Sequence, residues 1–340
     1  MKSIYVKDIK PGSNVNSTPF VVVKVEKKVA KNAKEYLDVT LGDKTGSIVC
    51  KVWGDKYSAC SADALVEGLV VIASGTANEF LNKVQMVLSM AVLTKEYEEV
   101  DFVPVSNKNV DQMMNVLFAH IASIEDRHLK TLLNNIFQDE KFTEIFKKTP
   151  AALKYHHAFA AGLLEHTLEV VDFAIPIANY YKPCNKDMVI AGAILHDIGK
   201  VEEIVWKNMC INYSDKGRLL GHIYIGTQIV NKYVSKDFNG ECLNLLQHII
   251  LSHHGKKEMG AVVIPATIEA KIVSLADDAS AKMRSYMSMF EDGQEGVGSF
   301  SDYNRALETA VYIKEYQSEL EILMEQSDTL DQKLKQLELI

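Results

Sequence analysis

Hydrophobic and polar positions divide this chain into two unequal parts, one alternating with period two and one following a helical period. In the front part, residues 19–29 are rich in Val and alternate after Lys24, while 36–41 (YLDVTL) and 47–53 (SIVCKVW) alternate on either side of a GDKTG turn. Residues 69–77 and 83–93 add two strands of the same kind, with the β-branched residues that suit a pleated, half-buried surface. The intervening DKYSACSADALVEG predicts a short helix. Five strands with a helix between the third and fourth is the order of an OB-fold barrel, another small barrel or a sandwich being the alternative.

From Ser106 onward apolar positions recur at helical spacing. Ser106 or Asn107 is placed to cap a helix carrying Val110, Met113, Met114, Leu117, Phe118 and Ile121. Further helices are expected at 126–137, 140–148, 161–181, 186–197, 219–235, 240–253 and 265–290, with no further strands. Residues 303–338 predict a polar helix with Leu307, Val311, Ile322 and Leu323 on its apolar positions, suited to packing on the body or on a partner chain. The expected architecture is multidomain: an all-β OB-fold barrel over 1–95, a linker over 96–105 containing EYEEVD, an all-α domain over 106–300 and a helical tail over 301–340.

Composition fits that reading. The chain has 340 residues, 47% hydrophobic and 24% charged, enough for two globular domains or three. No apolar run approaches the roughly 18 residues of a membrane span, and the N-terminal MKSIYVKDIKPG lacks the apolar core of a signal peptide. The five cysteines are scattered and form no CxxC pair, which points to reduced thiols and a cytoplasmic, non-membrane protein. Net charge is −8, yet residues 1–95 carry 13 Lys+Arg against 9 Asp+Glu while the remainder carries 24 against 36. A basic front end on an acidic body suits a front end that handles a polyanion, or simply a solvated surface.

The chemistry lies in the helical part. His166 stands in GLLEHTLEVV, His196 and Asp197 in ILHDIGK, His222 in LLGHIYIG, His253 and His254 in IILSHHG, and Asp277 in SLADDASAKM. Each is flanked by Leu, Ile or Val, which draws its segment inward. One histidine on such a face is ordinarily a satisfied core residue. Five histidines and two aspartates buried without partners would be far too costly, and divalent metal supplies the compensation. Imidazole with carboxylate and no thiolate suits Mn, Fe, Co, Ni or Zn rather than Mg or Ca. Neighbours on a helix point about 100° apart, so His196–Asp197 and His253–His254 converge on metal only at helix ends. Gly199 and Gly255 are the expected terminators.

In this order, H…HD…H…HH…D resembles the HD-domain phosphohydrolases. The resemblance implies one cation at His166, His196, Asp197 and Asp277 and a second at His222, His253 and His254, with Asp197 bridging. Two divalent ions per chain follow, Mn²⁺ foremost, with Fe, Co, Ni or Zn as alternatives. Together with the OB-like front end, the stretches YLDVTLGDKTGSIVCKVW, ALKYHHAFAAGLLEHTLEV, LHDIGKVEE, GHIYIG, LSHHG and SLADDASAKM make residues 20–310 similar to the YhaM-type 3′→5′ exoribonucleases. That family implies an enzyme that hydrolyses single-stranded RNA, with single-stranded DNA as a further substrate, to 5′-mononucleotides through a hydroxide activated between two metals.

Lys200, three residues beyond Asp197, is placed to bring an ammonium near the scissile phosphate, unless it is a surface lysine beside a helix end. His156 and His157 in KYHHAF offer phosphate contact or protonation of a leaving oxygen, and the resemblance favours His157. On the barrel, Phe20, Tyr36 and Trp53 are candidate stacking platforms with Lys24, Lys34 and Lys51 nearby, although most aromatics in small barrels fill the core. Two other functions stay open. One is an HD-type nucleotide or cyclic-dinucleotide phosphohydrolase, disfavoured because no GYP motif follows His253-His254-Gly255. The other is a non-catalytic nucleic-acid-binding module, disfavoured because every ligand position is filled. A homo-oligomer through the C-terminal helices is a further expectation.

Overall fold

The computed structural model describes residues 2–30, 35–60, 65–80, 83–104, 106, 108–153, 157–207, 209–291, 299–305 and 307–313. Its front end is a closed five-stranded barrel of β1 (Asn14–Val29), β2 (Glu35–Asp43), β3 (Gly46–Trp53), β4 (Val70–Phe80) and β5 (Lys83–Leu93). The hydrogen-bonded order is β1-β2-β3-β5-β4, closing from β4 back to β1, with β3 and β5 parallel and the other pairs antiparallel. This is the OB arrangement that the alternation predicts. β1 is longer than expected because it serves two neighbours, pairing with β4 through its first half and with β2 through its second. Val15, Phe20, Val22, Val39, Leu41, Cys50, Val52, Met86 and Leu88 fill the interior. The helix expected between β3 and β4 is a single 3₁₀ turn at Gly54–Lys56 among the described residues, residues 61–64 lying outside them.

The body holds α1 (Val110–Ser123), α2 (Arg127–Phe137), α3 (Glu140–Phe146), α4 (Gly162–Tyr180), α5 (Lys186–Leu195), the one-turn α6 (Lys200–Glu203), α7 (Asp215–Tyr233), α8 (Gly240–Ser252) and α9 (Ile268–Glu291). Side-chain caps define most of their starts. Asn109, rather than Ser106, caps α1 by accepting from Gln112 N, and Asp126, Asn185, Ser214 and Asn239 do the same for α2, α5, α7 and α8. Ser106 instead donates to Glu165 Oε2, and Asn107 lies outside the described residues. α5 is the central helix: every residue from Met188 to Leu195 is buried, so its apolar run carries no outward face. It packs against α4, α8 and α9.

Two expectations fail. Strands do reappear, as a hairpin of β6 (Ile204–Lys207) and β7 (Cys210–Tyr213) directly after α6. Four-residue strands give too short a period-two signal to stand out between helices. The hairpin carries Met209 and Cys210 against Val21, Val70 and Phe102, and so joins the barrel and linker to the body. The expected helix from residue 303 is also absent among the described residues. The described residues between 299 and 313 instead fold back through bridges Phe300–Tyr312 and Asn304–Thr309, burying Val311 and Ile313 against Met289. The rest of that tail, 314–340, and with it the expected oligomerising helix, lies outside the described residues.

Gly199 does not end a helix in the left-handed conformation, as expected; its φ is −67°. Close approach explains it: a Cβ there would sit 1.9 Å from His222 O and 2.6 Å from Gly226 N. Gly199→Ala is therefore expected to destabilise the protein by about 1–3 kcal/mol through overpacking, read as a lower urea midpoint. Gly240→Ala, whose added methyl meets nothing within 4 Å, serves as the control and should not lower it. Equal midpoints for the two variants would show that α7 can yield.

Candidate active site

Five helices deliver the polar groups to one point. α4 brings His166 and α9 brings Asp277, whereas His196–Asp197 and His253–His254 follow the ends of α5 and α8, and His222 lies within α7. His166, His196, Asp197 and His253 are almost completely buried. The helix ends do specific work. The last carbonyls of a helix lack intrahelical partners, and two of them accept from imidazoles: Ala193 O lies 2.7 Å from His196 Nδ1 and Ile250 O lies 2.7 Å from His253 Nδ1. His166 Nδ1 lies 3.0 Å from Ser280 Oγ, and His222 Nδ1 lies 3.0 Å from Glu203 Oε2. Four rings thus have Nδ1 engaged by an outer partner, which leaves each Nε2 facing inward.

The four Nε2 atoms surround Asp197 and divide between its two oxygens. Oδ2 is 3.4 Å from His166 Nε2 and 3.4 Å from His196 Nε2. Oδ1 is 3.4 Å from His222 Nε2 and 3.5 Å from His253 Nε2. Asp277 Oδ1 joins the first set, 3.2 Å from His166 Nε2 and 3.8 Å from His196 Nε2. His254 joins the second, its ring 4.3 Å from that of His253 and 5.2 Å from that of His222. In each of the sets His166/His196/Asp197 and His222/His253/His254, ligand atoms lie within 4.8 Å of one another. All seven expected ligand residues are therefore brought together.

The electrostatics favour cations. Burial alone would lower the His166 imidazole, but Asp197 and Asp277 raise it to about 9. Burial alone would likewise raise Asp197, and Lys200 with the surrounding histidines holds it well below its ordinary range. Lys200 Nζ lies 2.6 Å from Asp197 Oδ2. Burial keeps His253 low, and burial with repulsion from His253 lowers His254 to about 4, so both present neutral rings. Asp197 Oδ1, His222 Nε2, His253 Nε2 and His254 Nδ1 are buried with no hydrogen bond to the described residues. Buried acceptors of this kind, converging with imidazoles, fit divalent metal.

Beside this centre lies a group that the sequence pattern did not reveal. Glu169 accepts from Ser280 Oγ at 3.0 Å and approaches His157 Nε2 at 3.4 Å. Ser280 thereby links Glu169 to His166. Glu169 follows His166 by three residues and Ser280 follows Asp277 by three, the helical-neighbour spacing that could have flagged both. His157 is buried, its ring 5.4 Å from that of His166, in a tight turn where it takes φ 53°. His156 lies outside the described residues. Glu203, which holds His222, was likewise not anticipated.

The barrel candidates separate. Phe20 is fully buried, with Lys2 Nζ 3.7 Å from its ring centroid, so the pleat turns it into the core and it cannot stack on a base. Tyr36 and Trp53 pair across β2 and β3 with ring centroids 5.1 Å apart, and Trp53 is exposed. Lys51 Nζ sits 5.2 Å from the Tyr36 ring and 2.8 Å from Asp38 Oδ1. Lys24 is exposed and ion-paired with Glu26, and Lys34 lies outside the described residues.

Comparison with known proteins agrees with this geometry. The HD domain family model matches residues 163–282, and a second model, described as a putative helicase, matches residues 105–188. A protein of a Geobacillus species named 3′-5′ exoribonuclease YhaM is 31% identical over 86% of this chain and 90% of its own length. Proteins of the same name from Shouchella clausii and Halalkalibacterium halodurans are 32% and 30% identical, over 85% and 87% of this chain and 89% and 91% of theirs. The chain belongs to the YhaM 3′-5′ exoribonuclease family. It is a hydrolytic enzyme with an HD domain, and the His/Asp clusters of that domain are of a kind that could hold divalent metal. No helix among the described residues is long and apolar enough to cross a membrane.

Burial tends to raise the Glu169 carboxyl, but His157, Ser280 and Lys108 bring it from its ordinary 4.5 to about 2. A depressed folded-state value stabilises above the unfolded value and ceases to do so as pH falls through the folded one. The urea-midpoint advantage of the wild type over Glu169→Gln should therefore be full near pH 7 and shrink by about pH 3. A gap of the same size at both would disprove the ionised pairing.

Proposed function

We propose that this protein is a metal-dependent exoribonuclease that removes 5′-mononucleotides from the 3′ end of single-stranded RNA, with single-stranded DNA as a second substrate. The observation that carries the reading is the division of Asp197 between two sets of inward-facing imidazoles. It supports two divalent cations per chain, Mn²⁺ being the favoured ion, held by His166, His196, Asp197 and Asp277 on one side and His222, His253, His254 and Asp197 on the other. Bound cations supply Lewis acidity toward phosphoryl oxygens and make water acidic enough to attack at neutral pH.

The protein's own groups do the rest. Asp197 holds the two halves of the centre in register and anchors the Lys200 ammonium, whose side chain is 14% exposed. Lys200 places positive charge where the phosphate gains negative charge during displacement. As water attacks phosphorus, the bond to the 3′-oxygen of the preceding nucleotide breaks and that oxygen needs a proton. Burial lowers the His157 imidazole and Glu169 opposes that fall; His157, next to His166, is the group we assign to deliver the proton. The Tyr36–Trp53 pair, with Lys51 beside it, offers a stacking surface for bases upstream of the cut. The names of the relatives support RNA as substrate. A cytoplasmic location suits five cysteines that are all free thiols.

With Mn²⁺ supplied, RNA labelled at its 3′ end should lose the label as mononucleotide before any shorter fragment appears, and EDTA should stop this. Internal fragments, or turnover confined to free nucleotides, would overturn the exonuclease assignment. Asp197→Ala should abolish turnover and metal retention with far-UV circular dichroism unchanged; surviving activity would refute its central role. Trp53→Ala should raise KM for RNA at constant kcat, by about 5–150-fold if stacking contributes its usual 1–3 kcal/mol. An unchanged KM would remove the barrel from substrate binding.

A further inference from the structure

We infer that Glu203 is a positioning residue for His222, setting both its backbone and its ring toward the metal centre. The inference rests on the metal reading above and extends it to a residue outside the ligand set. α7 does not run straight through His222: Gly221 breaks it with φ 71° and ψ 151°. The break frees the His222 N–H from the helical ladder, and Glu203 Oε1 accepts it at 2.9 Å. The other carboxylate oxygen, Oε2, lies 3.0 Å from His222 Nδ1. One carboxylate thus grips a single histidine twice, and the ring's Nε2 is left facing Asp197 Oδ1 at 3.4 Å.

Glu203 is itself held firmly. The residue is 7% exposed, its carbonyl accepts from Ser214 N at 2.8 Å, and Gly217 packs so closely that a Cβ there would lie 2.6 Å from that carbonyl. Among the four imidazoles around Asp197, His196 and His253 find their Nδ1 acceptors in their own helices and His166 uses a hydroxyl. His222 uses a carboxylate from another element. A carboxylate in that place fixes the tautomer and makes the coordinating nitrogen more basic, and its loss ordinarily weakens metal binding about 10–100-fold.

The test is Mn²⁺ titration by calorimetry of the metal-stripped full chain, comparing wild type, Glu203→Ala, Glu203→Gln, His222→Ala and the Glu203→Ala/His222→Ala double variant. Glu203→Ala should weaken one class of Mn²⁺ site by about 10–100-fold and spare the other. Glu203→Gln, which keeps one acceptor oxygen, should lie between it and the wild type. In the His222→Ala background Glu203→Ala should cause no further loss, because its effect passes through that ring. Excess Mn²⁺ should restore RNA turnover to Glu203→Ala. Wild-type affinity in both Glu203 variants, or a full additional loss in the double variant, would overturn the inference. Should Glu203→Ala fail to fold, the intermediate affinity of Glu203→Gln decides. A wild type that binds no Mn²⁺ would instead sink the metal reading itself, and the inference with it.

Discussion

One buried carboxylate sets the terms for the rest of the body. Asp197 is almost completely inaccessible and ionised, an arrangement that a protein interior tolerates only when the charge is surrounded by compensation. Compensation comes from Lys200 on one side and from two sets of imidazole nitrogens on the others. Helix α5 delivers this residue from the centre of the bundle, which explains why its preceding run is apolar on every side. Buried apolar residues of α5 and of the helices packed on it line the surroundings of this charge.

Local backbone chemistry then fixes the rings. At the ends of α5 and α8, carbonyls that the helix cannot use accept from His196 and His253, so helix termination and ligand orientation are one event. The break at Gly221 does the corresponding work for His222. Gly199 allows the turn after Asp197 to lie directly on the His222 carbonyl, drawing the segments carrying the two sets together.

Much of this was legible from residue order alone. The alternation of YLDVTL and SIVCKVW marked a barrel, and the apolar flanks of His166, His196, His222 and His253 marked a convergent centre. What escaped has physical causes. The β6–β7 hairpin is too short for its period to register. Glu203, Glu169 and Ser280 act through neighbours brought close only by folding, and Glu203 meets His222 across 19 residues of chain. Phe20 looked like a platform because alternation identifies two faces without saying which is wet. The turn after Asp197 looked like a helix stop because a glycine needed for space and one needed for positive φ read alike.

The orphaned atoms around Asp197 also bear on how long the protein survives. A cation that binds the folded chain and not the unfolded one adds RT ln(1 + [L]/Kd) to stability, about 2.7 kcal/mol at a hundredfold excess over Kd. His222 Nε2, His253 Nε2 and Asp197 Oδ1, buried with no hydrogen bond to the described residues, are the atoms through which such a cation would stabilise the folded chain. Withdrawing that ion would then act twice, idling the site and lowering the stability of the folded chain.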